Sequence, residues 1–288
     1  MAILIAVKMR MAVLGSGSGG NATLLDCGKS MILIDAGLSA KQLVVRMEAM
    51  GVAPDSLSAI LLTHEHSDHA RGLDVFLRKR KVPVYVNAMT KEALQWGMKS
   101  DVDWKVFQTG TDFQLAELTV HPFPIPHDAA EPVGFTVHAG ETKFGLVTDV
   151  GYVTEAMRVY LKQAHGLFVE ANYDEGLLEA DTKRPWSTKQ RIASRHGHLS
   201  NVQAGELIAE VGCSLLEQVV LGHLSSDCNT AQHATQTIGD LLGNVGLQGV
   251  NLACANQEEP TDWIEFGVMP RRSAAVLDGA PLQQTELF

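Results

Sequence analysis

Ala59-Ile60-Leu61-Leu62-Thr63-His64-Glu65-His66-Ser67-Asp68-His69 runs from an aliphatic stretch straight into three imidazoles and two carboxylates. A short apolar run that ends in a polar cluster reads as a buried strand handing its last residue to a loop. Imidazole and carboxylate are the ligands that Zn²⁺ and comparable divalent ions prefer, and catalytic sites built from them keep positions open for water. The alternation at 64 and 66 aims two rings at one ion. Asp68 and His69, at the start of the next helix, face a second.

Further along the chain, single residues stand just past other apolar runs. His127 follows Phe123-Pro124-Ile125-Pro126, Asp149 follows Phe144-Gly145-Leu146-Val147-Thr148, and His223 follows Val219-Val220-Leu221-Gly222. His198 precedes Ser200, whose spacing to Gln203 is that of a capping box, so His198 stands before a helix N-terminus that favours an anion. The same spacing recurs at Ser39/Gln42 and Ser187/Gln190, and further helices are expected after Thr90 and Thr154. Strands are expected at 11–15, 22–26, 31–35, 59–62, 83–87, 118–123, 133–138, 143–148, 165–169, 218–221 and 249–254.

The alternation of short strands and helices runs without a linker, so residues 1–268 read as one α/β domain, with 1–9 as an extension or part of a first strand. Residues 269–288 read as a flexible tail. A net charge of −10 argues against a surface that is basic overall. A local basic segment stands out all the same: Lys183, Arg184, Lys189, Arg191 and Arg195 surround Trp186, close before His198. Arg78-Lys79-Arg80-Lys81 reads instead as cations at a helix C-terminus. Cys27, Cys213, Cys228 and Cys254 have no knuckle or redox spacing and read as reduced thiols of a cytoplasmic protein. No apolar run reaches the ~18 residues a membrane span needs. Gly15-Ser16-Gly17-Ser18-Gly19-Gly20 matches a dinucleotide fingerprint formally, but Asn21-Ala22-Thr23-Leu24-Leu25 after it reads as a strand where that fingerprint needs a helix. The loop is taken as a turn whose amides reach a substrate anion.

The order of these motifs resembles the metallo-β-lactamase superfamily: H-x-H-x-D-H, a later His, an Asp after a strand and a final His. Leu14 to Asn21, Thr148 to Tyr152, Glu170 to Asp174, Gly197 to Asn201 and His223 to Ser225 resemble the YycJ/WalJ-type exonucleases, relatives of ribonuclease Z and the phosphonate-pathway phosphodiesterases. The resemblance implies an αββα sandwich of two mixed sheets flanked by helices, holding two divalent ions, Zn or Mn. It assigns His64, His66 and His127 to one ion, Asp68, His69 and His223 to the other, and Asp149 to a bridge. His198 and Asp68 are the expected catalytic residues; Asn21, Lys189, Arg191 and Ser200 are the expected contacts to nucleic acid, taken to be DNA. Tyr173 and Cys228 depart from the subfamily, which often carries His at the first position and a polar residue at the second. Gln284-Thr285-Glu286-Leu287-Phe288 resembles the bacterial sliding-clamp-binding motif, with Gln284, Leu287 and Phe288 as its anchors and Thr285 as its departure. The implied activity is phosphodiester hydrolysis by a DNA exonuclease of repair or replication. The rivals are a hydrolase of a lactone, thioester or small phosphodiester on the same metals, a flavodiiron-type redox protein, which needs a carboxylate where His66 stands, and a metal-stabilised scaffold without turnover.

Overall fold

The computed structural model describes residues 8–267, so the segment before Lys8 and the expected tail with Gln284, Leu287 and Phe288 lie outside the described residues. The first sheet is built from β1 (Met9–Gly15), β2 (Ala22–Asp26), β3 (Met31–Ile34), β4 (Ala59–Leu61), β5 (Val84–Asn87) and β6 (Trp104–Phe107). The second takes β7 (Phe113–Leu115), β8 (Leu118–Pro124), β9 (Val133–Ala139), β10 (Thr142–Val147), β11 (Gly166–Glu170), β12 (Gln218–Gly222) and β13 (Asn251–Cys254). The last described strand, β14 (Ile264–Phe266), returns to pair antiparallel with β1.

Both faces of each sheet are covered, which is why the strands read as continuous apolar runs. In β1, Met9, Met11 and Val13 point into the space between the sheets while Ala12 and Leu14 point outward. In β12, Val220 points inward and Val219 and Leu221 outward. The outer face of the first sheet is covered by α1 (Ala40–Ala49) and α3 (Leu73–Leu77), which follows the short α2 (Ser67–Ala70). The outer face of the second carries α5 (Glu155–Leu161), α8 (Asn201–Val211) and α9 (Ala231–Asn244). The remaining helices are α4 (Ala88–Gln95), α6 (Glu175–Ala180) and α7 (Trp186–Ile192). The expected αββα sandwich is the observed architecture, and no helix among the described residues is long and apolar enough to cross a membrane.

Local chemistry sets most element ends. Ser39, Thr154 and Ser200 cap α1, α5 and α8, and at Ser200 the capping box is complete, with the Gln203 side chain returning to the Ser200 amide. Two expected starts are corrected. The helix expected after Thr90 begins at Ala88, because Asn87 accepts from the Thr90 amide and caps it. The helix expected after Ser187 begins at Trp186, directly behind Pro185, whose ring presets the entry backbone. The strand after the glycine loop is present as β2, so the helix a dinucleotide fingerprint requires is absent there.

The topology concentrates strand ends. β3 to β6 run parallel, as do β10 to β13, and two antiparallel steps bring β1 and β8 into the same sense. The loops after β1, β3, β4, β8, β10, β11 and β12 therefore leave at one edge of the sandwich. Backbone hydrogen bonds lace the first three together: Asn21 N–H donates to Asp68 O at 2.7 Å, Gly37 N–H to Asn21 O at 2.9 Å and Ala36 N–H to His69 O at 2.7 Å. Gly37 has no room for a side chain, since a Cβ there would lie 1.6 Å from the Asp68 carbonyl oxygen. Gly37→Ala is therefore expected to displace the 67–69 turn and to destabilise the fold by at least ~1–3 kcal/mol. Thermal unfolding with parallel metal titration checks this, and a variant with wild-type melting and metal affinity contradicts it.

Candidate metal centre

At that edge the structure brings together all seven residues expected as metal ligands. His64, His66 and His127 form one group and Asp68, His69, Asp149 and His223 a second, each with its donor atoms within 4.8 Å of one another. Asp149 stands between them: Oδ2 lies 3.0 Å from His69 Nε2, while Oδ1 lies 3.8 Å from His127 Nε2 and 3.3 Å from His223 Nδ1.

Each ring is held by one nitrogen, which fixes what the other offers. His69 Nδ1 donates to Asp35 Oδ2 at 2.7 Å, and His127 Nδ1 donates to Gly197 O at 3.3 Å. Thr63 donates its hydroxyl to Asp35 and accepts from His64 Nδ1 at 3.0 Å, so Asp35 orients two rings, one directly and one through a hydroxyl. His223 Nδ1 donates to Glu170 Oε1 at 2.9 Å. These four rings turn Nε2 into the site. His66 is pinned the other way, Nε2 donating to Asp128 O at 3.1 Å, and so offers Nδ1.

The backbone contributes to this aim. Asp35, Asp149 and His223 all have positive φ, at 61°, 59° and 53°, one or two residues past the end of a strand. Asp and His tolerate this left-handed conformation better than bulky residues, and its recurrence at one edge marks a site where surrounding contacts over-determine the backbone.

The donor set fits divalent ions. Nε2 of His64 and Nε2 of His223 are buried without a hydrogen-bond partner, a costly arrangement unless something else takes the lone pair. Burial, followed by the neighbouring His69, holds His64 well below its usual pKa, so the ring is neutral as a ligand must be. Burial lowers His127 as well. At His69 and His223 burial pulls the same way, but the Asp149 carboxylate overrides it, with Asp35 helping at His69 and the nearby Asp68 and Glu170 carboxylates at His223; His223 rises to about 10. Asp149 itself is driven well below the carboxylate range by His223 and His69, against its burial penalty. The carboxylates thus draw positive charge into a buried space, and a divalent ion is such a charge.

Glu170 and Asp35 were not among the expected site residues. Glu170 is fully buried at the end of β11; its Oε1 accepts from both His223 Nδ1 and His198 Nδ1, the latter at 2.7 Å, and its Oε2 accepts from the Val150 amide. The signal available in sequence was a single acid closing an apolar run, as in Phe168-Val169-Glu170 and Leu33-Ile34-Asp35. Such an acid is indistinguishable there from a turn residue.

His198 stands beside the second group, its Nδ1 tied to Glu170 and its Nε2 left without a partner among the described residues. It lines a cavity of about 160 Å³ with His127, Asp128, Thr188 and Arg191. Arg191 is largely exposed and lies 3.4 Å from Asp128. Asn21 sits against the second group, its amide nitrogen 3.1 Å from His69 Nε2, while its Oδ1 accepts from Ser16 Oγ and Gly17 N–H. The glycine loop is less open than expected: the amides of Gly17, Gly19 and Gly20 are spent on Asn21, Gln257 and Gly17, so they are not free for a substrate anion. Ser200 is corrected too. It is fully buried, and its hydroxyl caps α8 and donates to Glu175, which leaves it nothing for a substrate. Lys189 donates to Glu179 O and faces a different groove. Tyr173 and Cys228 pack with Leu178 and Ile192 in a small apolar cluster, so neither departure from the subfamily touches the donor set.

Two seven-stranded sheets with helices outside, carrying paired histidine and carboxylate groups at one edge, define a metal-dependent hydrolase of the metallo-β-lactamase fold. The same fold is seen in YhfI of Bacillus subtilis, at a TM-score of 0.68 and 16% identity over 88% of this chain and 99% of that one. The short form of human tRNase Z matches with a TM-score of 0.62 and 16% identity over 88% and 98%. A family model described as the beta-lactamase superfamily domain matches residues 30–224, and the chain belongs to that superfamily. Among its relatives, the exodeoxyribonuclease YycJ of Bacillus anthracis is 35% identical over 83% of this chain and 91% of its own length. The exodeoxyribonuclease WalJ of Streptococcus pneumoniae is 33% identical over 84% and 91%.

Glu170→Gln retains shape but removes the charge that two imidazole N–H groups share. Metal affinity or turnover is expected to fall ~10–100-fold with the fold intact, as for other groups that orient a ligand. Metal titration with circular dichroism checks this; wild-type affinity together with wild-type turnover contradicts it.

Proposed function

We propose that the protein is a metal-dependent exonuclease that hydrolyses phosphodiester bonds of DNA, acting in the cytoplasm in repair or replication. The observation that carries this reading is His198, held by a buried glutamate beside the donor groups and facing a cavity with Arg191 on its wall. A phosphodiester carries a negative charge that a guanidinium such as Arg191 can meet and expels an alkoxide to which a protonated imidazole can donate, whereas a neutral lactone or thioester has no use for the guanidinium. The exodeoxyribonuclease names of relatives that align over most of the chain point the same way.

His64, His66 and His127 would hold one ion and Asp68, His69 and His223 the other, with Asp149 shared; Zn²⁺ and Mn²⁺ both suit this donor set. Two such ions supply Lewis-acid polarisation and make water nucleophilic at neutral pH. The chain's own residues do the rest. Asp68, with 22% of its side chain exposed, is the more open of the two donor carboxylates and is assigned to accept the proton of the nucleophilic water, against the pull of His223 and His69, which overcome its burial and hold its carboxyl well below the usual range. His198 Nδ1 stays on Glu170 while Nε2 carries a proton to the leaving oxygen, and the carboxylate stabilises the ring in its charged form. Arg191 meets a phosphate at the cavity mouth, which requires it to leave Asp128. Asn21 fixes the glycine loop against the second ion's ligands.

Asp149→Asn is expected to lose metal and abolish cleavage while remaining folded. His198→Ala is expected to keep its metals and lose ~10²–10⁴-fold in cleavage. Metal analysis alongside digestion of 5′- and 3′-end-labelled single and double strands tests both; cleavage by pure Asp149→Asn protein, or loss of a metal equivalent in His198→Ala, defeats the assignment. For the chain end we propose a sliding clamp as partner, bound through Gln284, Leu287 and Phe288. Deleting residues 284–288 should abolish clamp binding in calorimetry and leave cleavage of free oligonucleotides unchanged. Equal clamp binding by the truncated protein rules the motif out.

A further inference from the structure

A groove of about 440 Å³ lies on the far side of α7 from the His198 cavity, walled by Tyr173, Leu178, Trp186, Lys189, Gln190 and Ala193. We propose that this groove receives one unpaired nucleobase of the substrate strand, stacked on Trp186, and that the enzyme therefore engages single-stranded ends; this rests on the nuclease reading above.

The placement of α7 is the first argument. It buries no residue completely and packs on the small cluster of Tyr173, Leu178 and Cys228 through the half-buried Ile192, and yet it is firmly held. Lys189 Nζ donates to Glu179 O at 2.8 Å, and the Arg184 fork at its entry pairs with Asp181 and Asp227 at 2.9 and 2.8 Å. At its end the His198 amide donates to Ile192 O at 2.9 Å, which ties the helix to the catalytic loop. Thr188, Arg191 and Ile192 line the site cavity, whereas Trp186, Lys189, Gln190 and Ala193 line the groove. One helix of ~10 Å width thus separates the two, with the exposed Arg191 on its site-facing side.

The chemistry of the groove selects what enters. Its walls are an indole that is 68% exposed, a buried tyrosine edge and aliphatic side chains, which suit a flat aromatic face. Its polar groups are the Glu175 and Glu179 carboxylates and the Gln190 amide, while Lys189 is spent on Glu179 O. Two carboxylates repel a phosphate but accept from the exocyclic amines of a base. One cation, Lys189, stands at the groove wall among two carboxylates, with its ammonium on Glu179 O, while Arg191 lies on the site side of the helix and Lys183 and Arg195 are exposed. Phosphates outside and a base inside is the arrangement a single strand adopts on a stacking platform, and a duplex cannot give up a base to it without unpairing.

The test uses the full-length, metal-loaded enzyme and oligonucleotides that carry one abasic residue at successive positions from the labelled end. For the wild type, an abasic residue at one position a few nucleotides from the scissile bond should lower kcat/KM ~5- to 100-fold. Trp186→Ala should show that loss on the intact strand and no further loss with the abasic one, and Trp186→Phe should recover most of the activity. Turnover of bis(p-nitrophenyl) phosphate, which does not reach the groove, should be unchanged in all three. Cleavage by the wild type that is indifferent to every abasic position, or wild-type cleavage by Trp186→Ala, overturns the base-binding groove and leaves the nuclease reading standing. Turnover of the small diester with no cleavage of any DNA overturns the nuclease reading and the groove with it.

Discussion

Every imidazole of the metal centre is anchored through one ring nitrogen, and the geometry of the site depends on what holds it. Asp35 takes His69 directly and His64 through Thr63; Glu170 takes His223 and His198; main-chain carbonyls of Asp128 and Gly197 take His66 and His127. The five of these rings in the two donor groups, His198 apart, lose their ligand geometry if any is free to turn. Their inward nitrogens can bind an ion only when unprotonated, and at His69 and His223, where the carboxylates favour the charged ring, a bound cation would take the place of that proton. Anchoring and charge balance are therefore one requirement, met by carboxylates that are themselves fully desolvated and so committed to these partners.

The sandwich exists in a form that makes this possible. Parallel strands end together, so residues far apart in sequence arrive at one edge without long connections, and both sheet faces can be covered by helices. Left-handed backbone at Asp35, Asp149 and His223 and a glycine pressed against the Asp68 carbonyl then place the side chains within a few ångströms. Strain of this kind is tolerable because the apolar core beneath the edge is continuous and closely packed.

The fold was largely legible because its strands are buried on two faces and announce themselves as aliphatic runs. β6, β7 and β14 escaped because they are short and partly exposed, so that Trp104 to Phe107 and Phe113 to Leu115 look like loop between better runs. α9 carries only Ala234, Ile238 and Leu242 on its buried stripe, too sparse a pattern to stand out among polar neighbours. In the site, the density of His64 to His69 carries the reading, whereas His127, Asp149 and His223 stand out only by their place after an apolar run, and their expected role as ligands comes from the resemblance to the superfamily. Asp35 and Glu170 were not legible in this way, since nothing local distinguishes an acid that supports a distant histidine from one that ends a strand. Ser200 was misjudged for a related reason: sequence showed a hydroxyl at a helix start but not that the cap would consume it.

The central claim is that Asp149 lies between two ions, while Glu170 and His198 support the site without ligating. It competes with a specific alternative at the same edge of the sandwich, since Asp149, Glu170, His198 and His223 also form a group whose atoms lie within 4.8 Å of one another. Anomalous diffraction from crystals of the metal-loaded protein separates the two most directly. The account predicts two peaks ~3.5–4 Å apart, one on either side of Asp149. A single peak centred between Glu170, His198 and His223 would contradict it.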